Sequence, residues 1–169
     1  MRALGLGVVV GMLALVAGVR LARSQAPAAT PGMPAEHMAM APSDLKWGEP
    51  PPALPKGGQM AVLAGDPTKS GLFVVRLKMP AGYKIMPHSH PTDENITIIS
   101  GSFAAGMGDK LDPQTKALPA GGFVHMPAKM HHFAMAKGET IVEIASMGPF
   151  IINYVDPKDD PSKKQAAAK

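Results

Sequence analysis

Short apolar segments separated by glycine, proline and polar residues dominate the sequence beyond residue 59. They are residues 60–65, 71–79, 95–100, 101–107, 122–126, 132–136, 140–145 and 149–155. None of them keeps the apolar period of a helix over three turns, and segments of this length between turn-forming residues are typical of β-strands. Glycine at position 101 is expected to separate two consecutive strands. Eight such strands with regular turns predict an all-β sandwich or barrel.

The first 24 residues predict a secretory signal peptide. Arg2 precedes the uncharged apolar run of residues 3–19, and small residues follow that run. Cleavage after Ser24 would leave Gln25 as the first residue of an exported protein, periplasmic or extracellular, with no stable membrane insertion. A retained membrane anchor is the alternative, because the run is only slightly shorter than a spanning helix.

The remaining chain divides by composition into three parts. Residues 25–43 are rich in proline, alanine and methionine and predict a disordered linker. Residues 44–157 contain the predicted strands and form one domain, and residues 158–169 have the composition of a solvated tail.

Charge and cysteine content exclude several classes of function. Loss of Arg2, Arg20 and Arg23 with the signal peptide lowers the formal net charge from +4 to +1. No basic stripe with interleaved aromatic residues remains, so nucleic acid is not an expected partner. The chain has no cysteine, which excludes disulfides, iron–sulfur clusters, zinc fingers and blue-copper sites.

Ionisable side chains cluster directly before the predicted strand of residues 95–100. His88, His90, Asp93 and Glu94 lie within seven residues. In a strand, His88 and His90 would point to the same face with their Cα atoms about 6.5 Å apart, close enough for both imidazoles to reach one ion. Burial of such groups requires compensation, which a cation would provide. A further ligand is expected from another strand, where the candidates are His125, His131 and His132.

The spacing of these residues resembles the first sequence motif of the cupin superfamily. The matching positions are Gly82, His88, His90, Glu94 and Gly101. A second stretch resembles the second cupin motif at Gly121, Pro127, Lys129 and His132, although cupins usually have glycine at the position of Lys129 and often asparagine at that of Ala136.

The resemblance covers roughly residues 45–157. It implies a single-domain jelly-roll β-barrel with a metal ion inside the barrel. It also implies that His88, His90, Glu94 and His132 are the metal ligands.

The neighbouring polar residues have other expected roles. Asp93 competes with Glu94 as a ligand, but the motif spacing favours Glu94 and leaves Asp93 at the mouth of the site or in solvent. The side chain of His131 faces opposite to that of His132, so His131 is expected beside the site or in solvent. His125 is either an acid–base group or a structural sheet histidine. Packing is the expected role of Tyr83 and Tyr154.

Three imidazoles and a carboxylate can hold one divalent transition metal ion: copper, manganese, iron or zinc. Methionine gives a hint towards copper, since thioethers prefer soft metals. Met86 shares strand parity with His88, and Met126, Met130 and Met135 bracket His132 in sequence. The alternative is that these methionines fill the core.

These features predict an exported, mononuclear, metal-dependent oxidoreductase of the oxidase or dioxygenase type. Its substrate would be a small organic molecule or a carbohydrate, and Glu94 would be the catalytic proton acceptor. Two alternatives stay open: a non-enzymatic cupin that binds a metal or a small ligand, and a metal-dependent isomerase or lyase. A homodimer is expected, because exposed strand edges need protection and no disulfide is available.

Overall fold

The computed structural model describes residues 38–166. The predicted signal peptide, residues 1–24, and residues 25–37 of the predicted linker lie outside the described residues. Within residues 38–166, no helix is both long and apolar enough to cross a membrane. A single turn of 3-10 helix, Pro42–Asp44, lies where the predicted linker meets the predicted domain.

Within residues 38–166, ten strands form two antiparallel five-stranded sheets, which confirms the predicted all-β fold. The strands are β1 Gln59–Ala64, β2 Gly71–Met79, β3 Lys84–Ser89, β4 Glu94–Ser100, β5 Ser102–Met107, β6 Leu118–Pro119, β7 Phe123–Met126, β8 His132–Ala136, β9 Thr140–Gly148 and β10 Asn153–Tyr154. One sheet has the order β1-β2-β9-β4-β7 and the other the order β10-β3-β8-β5-β6. Consecutive strands β3 and β4 therefore lie in different sheets, as in a jelly-roll barrel.

The core lies between the two sheets and follows from the alternation of side chains along each strand. On β2, Phe73, Val75, Leu77 and Met79 are all buried, while the residues between them are half-buried. Each buried side chain of this size stabilises the fold by about 1.5–3 kcal/mol through removal of apolar surface from water. The opposite sheet supplies inward side chains such as Phe103.

Gly101 separates β4 from β5, as the sequence predicts. Its φ is +81°, and a Cβ added there would lie 2.2 Å from the backbone oxygen of Glu139. Glycine is required for both reasons, because other residues rarely adopt this φ and none would fit the space. The chain can therefore pass from one sheet directly into the other at this point.

Four segments differ from the expectation. The apolar residues 149–155 contain only the two-residue strand β10, and the polar connection of residues 108–122 contains the short strand β6. Residues 84–89, which the apolar pattern did not identify, form β3. The predicted tail begins with a 3-10 turn, Pro157–Asp159, and the short helix α1, Pro161–Ala166.

Candidate metal centre

Two strands of one sheet and the chain directly after β3 bring three histidines together. His88 on β3 and His132 on β8 are directly opposite each other in the sheet register. His90 follows two residues after His88, just beyond the end of β3. These are three of the four ligands that the sequence predicts.

The three imidazoles converge on one point inside the barrel. The ring centroids are 4.3 Å apart for His88 and His132, 4.9 Å for His88 and His90, and 5.2 Å for His90 and His132. One potential ligand atom of each ring lies within 4.8 Å of those of the other two. All three residues are 2–3% exposed. This spacing allows the three rings to share one ion.

Backbone carbonyls fix the tautomer of each histidine. The Nδ1–H groups of His88, His90 and His132 donate to the backbone oxygens of Met86 at 2.7 Å, Ile151 at 2.8 Å and Met130 at 3.0 Å, respectively. A carbonyl oxygen only accepts, so Nδ1 must bear the proton and a neutral ring is left with a lone pair on Nε2. This is the arrangement by which proteins orient imidazoles towards a metal.

The lone pairs have no partner in the described part of the chain. The Nε2 atoms of His90 and His132 are buried and make no hydrogen bond there. Buried polar atoms in folded proteins nearly always have a partner, so each such atom requires an explanation.

Glu94 adds a carboxylate to the same centre. It is the first residue of β4, and its Oε2 lies 3.6 Å from Nε2 of His90 and 3.5 Å from Nε2 of His132. The carboxylate is buried and faces the Nε2 lone pairs of neutral imidazoles. Both the carboxylate oxygen and these nitrogens are hydrogen-bond acceptors, so they cannot bond to each other. A cation among these atoms would satisfy all of them, so the residues present fit a divalent metal ion.

Burial lowers the pKa of two of the histidines, which favours the neutral imidazole that binds a metal. It lowers the pKa of His88 to about 3, with help from the neighbouring charges of His132 and His90. Burial also lowers the pKa of His90. Burial alone would raise the pKa of Glu94, but the positive charge of the neighbouring histidines, when they are protonated, outweighs that effect and lowers it. Neutral imidazoles and an ionised carboxylate are the protonation states of metal ligands.

Phe150 and Ile151, which follow β9, orient His90 from outside the two motifs. The Phe150 ring stacks on the His90 ring with centroids 4.3 Å apart and planes inclined by 17°. The backbone oxygen of Ile151 accepts the His90 Nδ1–H. Sequence reasoning missed both residues because it assigned them to a strand, and no local pattern marks them as neighbours of a histidine 60 residues away.

The turn before β8 connects the two motifs. Lys129 has φ +66°, so it adopts the left-handed conformation at the position where cupins usually have glycine. Its backbone N–H donates to the oxygen of His90 at 2.7 Å, and the Asp93 carboxylate accepts from the N–H of Ala128 at 2.7 Å. Asp93 is exposed, as expected, and it holds this turn rather than facing the imidazoles.

The other two histidines of the folded part face outwards. His131 is exposed, and its Nδ1 lies 2.6 Å from Oδ1 of Asp109. His125 on β7 is also exposed, with its Nδ1 2.9 Å from Oδ1 of Asn95. His131 therefore faces opposite to His132 as predicted, and His125 is a surface sheet histidine rather than an acid–base group of the cavity.

The predicted packing role of the two tyrosines agrees with the structure. The hydroxyl of Tyr83 donates to the backbone oxygen of Pro55, and that of Tyr154 to the oxygen of Ala53 at 2.7 Å. Burial raises the pKa of Tyr83 to about 12 and raises that of Tyr154 as well. Both groups tie the residues before β1 to the barrel as neutral phenols.

The methionines do not surround the histidines. A register shift between Ile85 and His88 breaks the strand parity that would place Met86 beside His88, so the expected parity is wrong. Met130 is exposed, and Met135 packs with Phe133 in a separate cluster. Met126 alone, of the four, lines the cavity at the metal centre. The structure therefore removes most of the methionine argument for copper.

The cavity at the centre is narrow and mostly apolar. Its volume is about 20 Å³, room for about one water molecule. Apart from His88, Glu94 and His132, apolar side chains such as Leu77, Ile96 and Ile144 line it. A ligand group that enters must be small.

Solved structures with the same fold include proteins of different activity. The polyketide cyclase RemF from Streptomyces resistomycificus is 15% identical, with a TM-score of 0.62 over 78% of this chain and 94% of that chain. A candidate acetylacetone dioxygenase from Methylibium petroleiphilum is 16% identical, with a TM-score of 0.58 over 82% and 99%. An RmlC-like cupin from Shewanella frigidimarina is 17% identical, with a TM-score of 0.53 over 68% and 94%. At these identities the likeness establishes the fold alone.

Sequence comparison identifies the family. No curated protein matches the chain. The family model of the ChrR cupin-like domain matches residues 35–151, more than half of the chain and nearly all of the strands. Together with the two motifs and the two-sheet barrel, this match shows that the chain belongs to the ChrR cupin-like domain family of the cupin superfamily.

Proposed function

We propose that this cupin holds one divalent transition metal ion on His88, His90, His132 and Glu94 and acts as an oxidoreductase of the oxidase or dioxygenase type. The observation that supports it most strongly is the pair of buried Nε2 atoms, on His90 and His132, that have no hydrogen-bond partner in the described chain. Their Nδ1–H groups are fixed by backbone carbonyls, so a cation is the simplest partner for their lone pairs.

The donor set leaves the identity of the metal open among copper, manganese, iron and zinc. When bound, a redox-active ion of this group would supply electron exchange with dioxygen or peroxide, and zinc would supply Lewis acidity. The protein contributes a buried site that excludes bulk water and three rings whose orientation is fixed before any ion binds.

Glu94 is the residue that would move protons. Its carboxylate is ionised and buried, and its Oε2 lies within 3.6 Å of two imidazoles. In this position it can accept a proton from a substrate group that enters the cavity. Since that cavity has room for about one water molecule, only a small oxygen-bearing group of the substrate would reach it. A small organic substrate is therefore favoured over a carbohydrate, whose many hydroxyls an apolar lining cannot satisfy.

A non-enzymatic binding role is the second candidate, and the size of the cavity favours it. All four potential ligands are at most 5% exposed, and three of them, His88, Glu94 and His132, line a space of only about 20 Å³. Such a site also suits a protein that binds a metal without turnover. Such a site would bind an ion as tightly as an enzyme does but would leave little room for a reacting molecule.

One experiment separates these candidates. The protein is loaded in turn with copper, manganese, iron or zinc, its metal content is measured, and dioxygen consumption with ascorbate is followed for the wild type and for Glu94→Gln. Asp109→Asn, an exposed carboxylate, is the matched control. Dioxygen consumption that Glu94→Gln loses and Asp109→Asn keeps supports the oxidoreductase. Full metal content without dioxygen consumption supports the binding role, and turnover that is indifferent to dioxygen supports an isomerase or lyase.

We also propose export and self-association. Export is supported by the basic start and apolar run of residues 1–19, and the intact mass of the secreted or periplasmic protein should correspond to a chain that begins at Gln25. A homodimer is supported by the open sheet edge at β7 and by the lack of cysteine. Sedimentation equilibrium would show a dimer, and a monomer at micromolar concentration would contradict it.

A further inference from the structure

A second cavity lies in the same barrel and is much larger than the cavity at the metal centre. Its volume is about 250 Å³, against about 20 Å³ at the histidines. Its floor is formed by buried side chains of β2, Phe73 and Val75 among them, and its mouth by exposed residues such as Pro51 and Thr68. We call this space the apolar chamber.

Among the described residues that line the apolar chamber, none is charged. The side chains are those of alanine, leucine, isoleucine, valine, methionine, phenylalanine and proline, with the hydroxyl of Thr68 as the one polar group. That hydroxyl already donates to Oδ1 of Asp66 at 2.6 Å. A trapped water needs two to four polar partners, so this lining suits water poorly. It suits an apolar molecule.

The size of the apolar chamber sets it apart from packing defects. Protein interiors are close-packed, and voids larger than a water molecule are few. A dry apolar cavity of about 150 Å³ is enough to bind benzene. The chamber is larger than that and is open at its mouth, so a benzene ring with a short alkyl group would fit.

The apolar chamber adjoins the metal centre. Leu77 and Ile144 line both cavities. Phe150 lines the chamber and packs edge-on against Phe73, with ring centroids 5.2 Å apart. The same Phe150 ring stacks on the His90 ring of the metal centre. A molecule in the chamber would therefore contact the ring that orients a metal ligand.

We propose that the apolar chamber is a second ligand site, which binds a small uncharged molecule through an alkyl or aryl group. Recognition is by shape and by removal of apolar surface from water, since no lining charge or free hydroxyl offers directional contacts. The site does not depend on the metal: it is built from residues of β1, β2 and β9 and from the loops before β1, between β1 and β2, and after β9.

Toluene is a suitable probe of the full-length protein. Calorimetric titration should give saturable binding with one site, and nuclear Overhauser contacts should connect toluene with the methyl groups of Val75 and Ile152. Ala53→Phe and Ile152→Phe each place a ring in the chamber and should weaken binding at least about tenfold, a change of about 1.4 kcal/mol. Val62→Phe, on the exposed face of β1, is the matched control and should change the affinity by less than about twofold.

The outcomes of this titration separate the chamber from the metal proposal. His132→Ala should still bind toluene as the wild type does, even though it should no longer hold a metal. If wild-type protein does not bind toluene, or if Ala53→Phe and Ile152→Phe bind it unchanged, the proposal is wrong. If Ala53→Phe and Ile152→Phe are unstable, the Overhauser contacts in the wild type decide the question alone. Contacts confined to surface methyl groups, such as that of Met147, would overturn the proposal.

Discussion

His131 and His132 are adjacent in the chain and have opposite environments. His132 is 2% exposed, with its Nδ1–H held by a backbone carbonyl and its Nε2 buried without a partner. His131 is exposed, and its ring nitrogen bonds a surface carboxylate, Asp109. The residue type is the same, and the alternation of the strand makes the difference. A histidine can become a metal ligand here because the strand turns its ring into the barrel and a carbonyl on one side leaves the other ring nitrogen free.

Replacement of the two neighbours by alanine should give the largest contrast. His132→Ala removes one of three converging imidazoles, so we expect the metal affinity to fall by more than about 100-fold. Loss of a group that only orients a ligand costs up to about 100-fold. His131→Ala should leave metal content unchanged. Elemental analysis of both variants, purified in parallel, is the measurement. Equal metal content in the two would place the metal elsewhere.

Acid should destabilise the metal-free protein through its inner histidines. Burial lowers the pKa of His88 to about 3 and lowers that of His90. Below the ordinary histidine value of 6.5 the unfolded chain therefore takes up protons that the folded chain does not, and the free energy of unfolding falls with pH. His88 should contribute about 1.4 kcal/mol per pH unit until the pH approaches its lowered pKa, and His90 contributes in the same direction.

The window between pH 6.5 and pH 4.5 isolates the histidines. The lowered pKa of Glu94 also removes stability in acid, but only below its ordinary value of 4.5. Urea unfolding of chelator-treated protein at several pH values measures the slope. His88→Ala should reduce the slope to the part that His90 contributes, and His131→Ala should leave it unchanged. A slope in His88→Ala equal to that of the wild type would show that other groups cause the acid sensitivity.

Loss of the ring that stacks on His90 should have a moderate effect. Phe150→Leu keeps an apolar side chain but removes the stacked contact, so His90 is less well oriented. We expect the metal affinity to fall about tenfold, within the range for groups that orient ligands. Phe123→Leu, an exposed phenylalanine on β7, is the control and should bind metal normally. Competition titration with a chromophoric chelator gives both affinities.

The smallest expected effect concerns the turn that leads into His131 and His132. Lys129 is held at φ +66°, which is unfavourable for any residue with a Cβ. Lys129→Gly should therefore raise the free energy of unfolding by up to about 1 kcal/mol, partly offset by the greater freedom of glycine in the unfolded chain. Lys129→Ala should not stabilise. If the two variants melt at the same temperature, the turn does not strain Lys129.

Much of the fold and of the site follows from local pattern. Short apolar segments predict strands because strand burial repeats every second residue, and Gly101 marks a break because no other residue fits there. The spacing from His88 to Glu94 predicts convergence, and the structure brings these side chains together with His132.

The remainder depends on contacts between distant parts of the chain. The irregularity in β3 that moves Met86 away from the site arises from pairing with β8, which the sequence does not display. Phe150 stacks on His90 although the two residues are 60 positions apart in the chain. The apolar chamber is likewise formed by residues from separate strands and loops, so no window of sequence contains it.

X-ray absorption fine structure at the edge of the bound metal tests the central claim most directly. The protein is purified without added metal, and the first coordination sphere is fitted for imidazole and carboxylate donors. The account predicts three imidazoles and one carboxylate, with the imidazole number reduced in His132→Ala and unchanged in His131→Ala. A sphere with one imidazole or none, or an unchanged sphere in His132→Ala, would contradict the assignment of His88, His90, His132 and Glu94 as the metal centre.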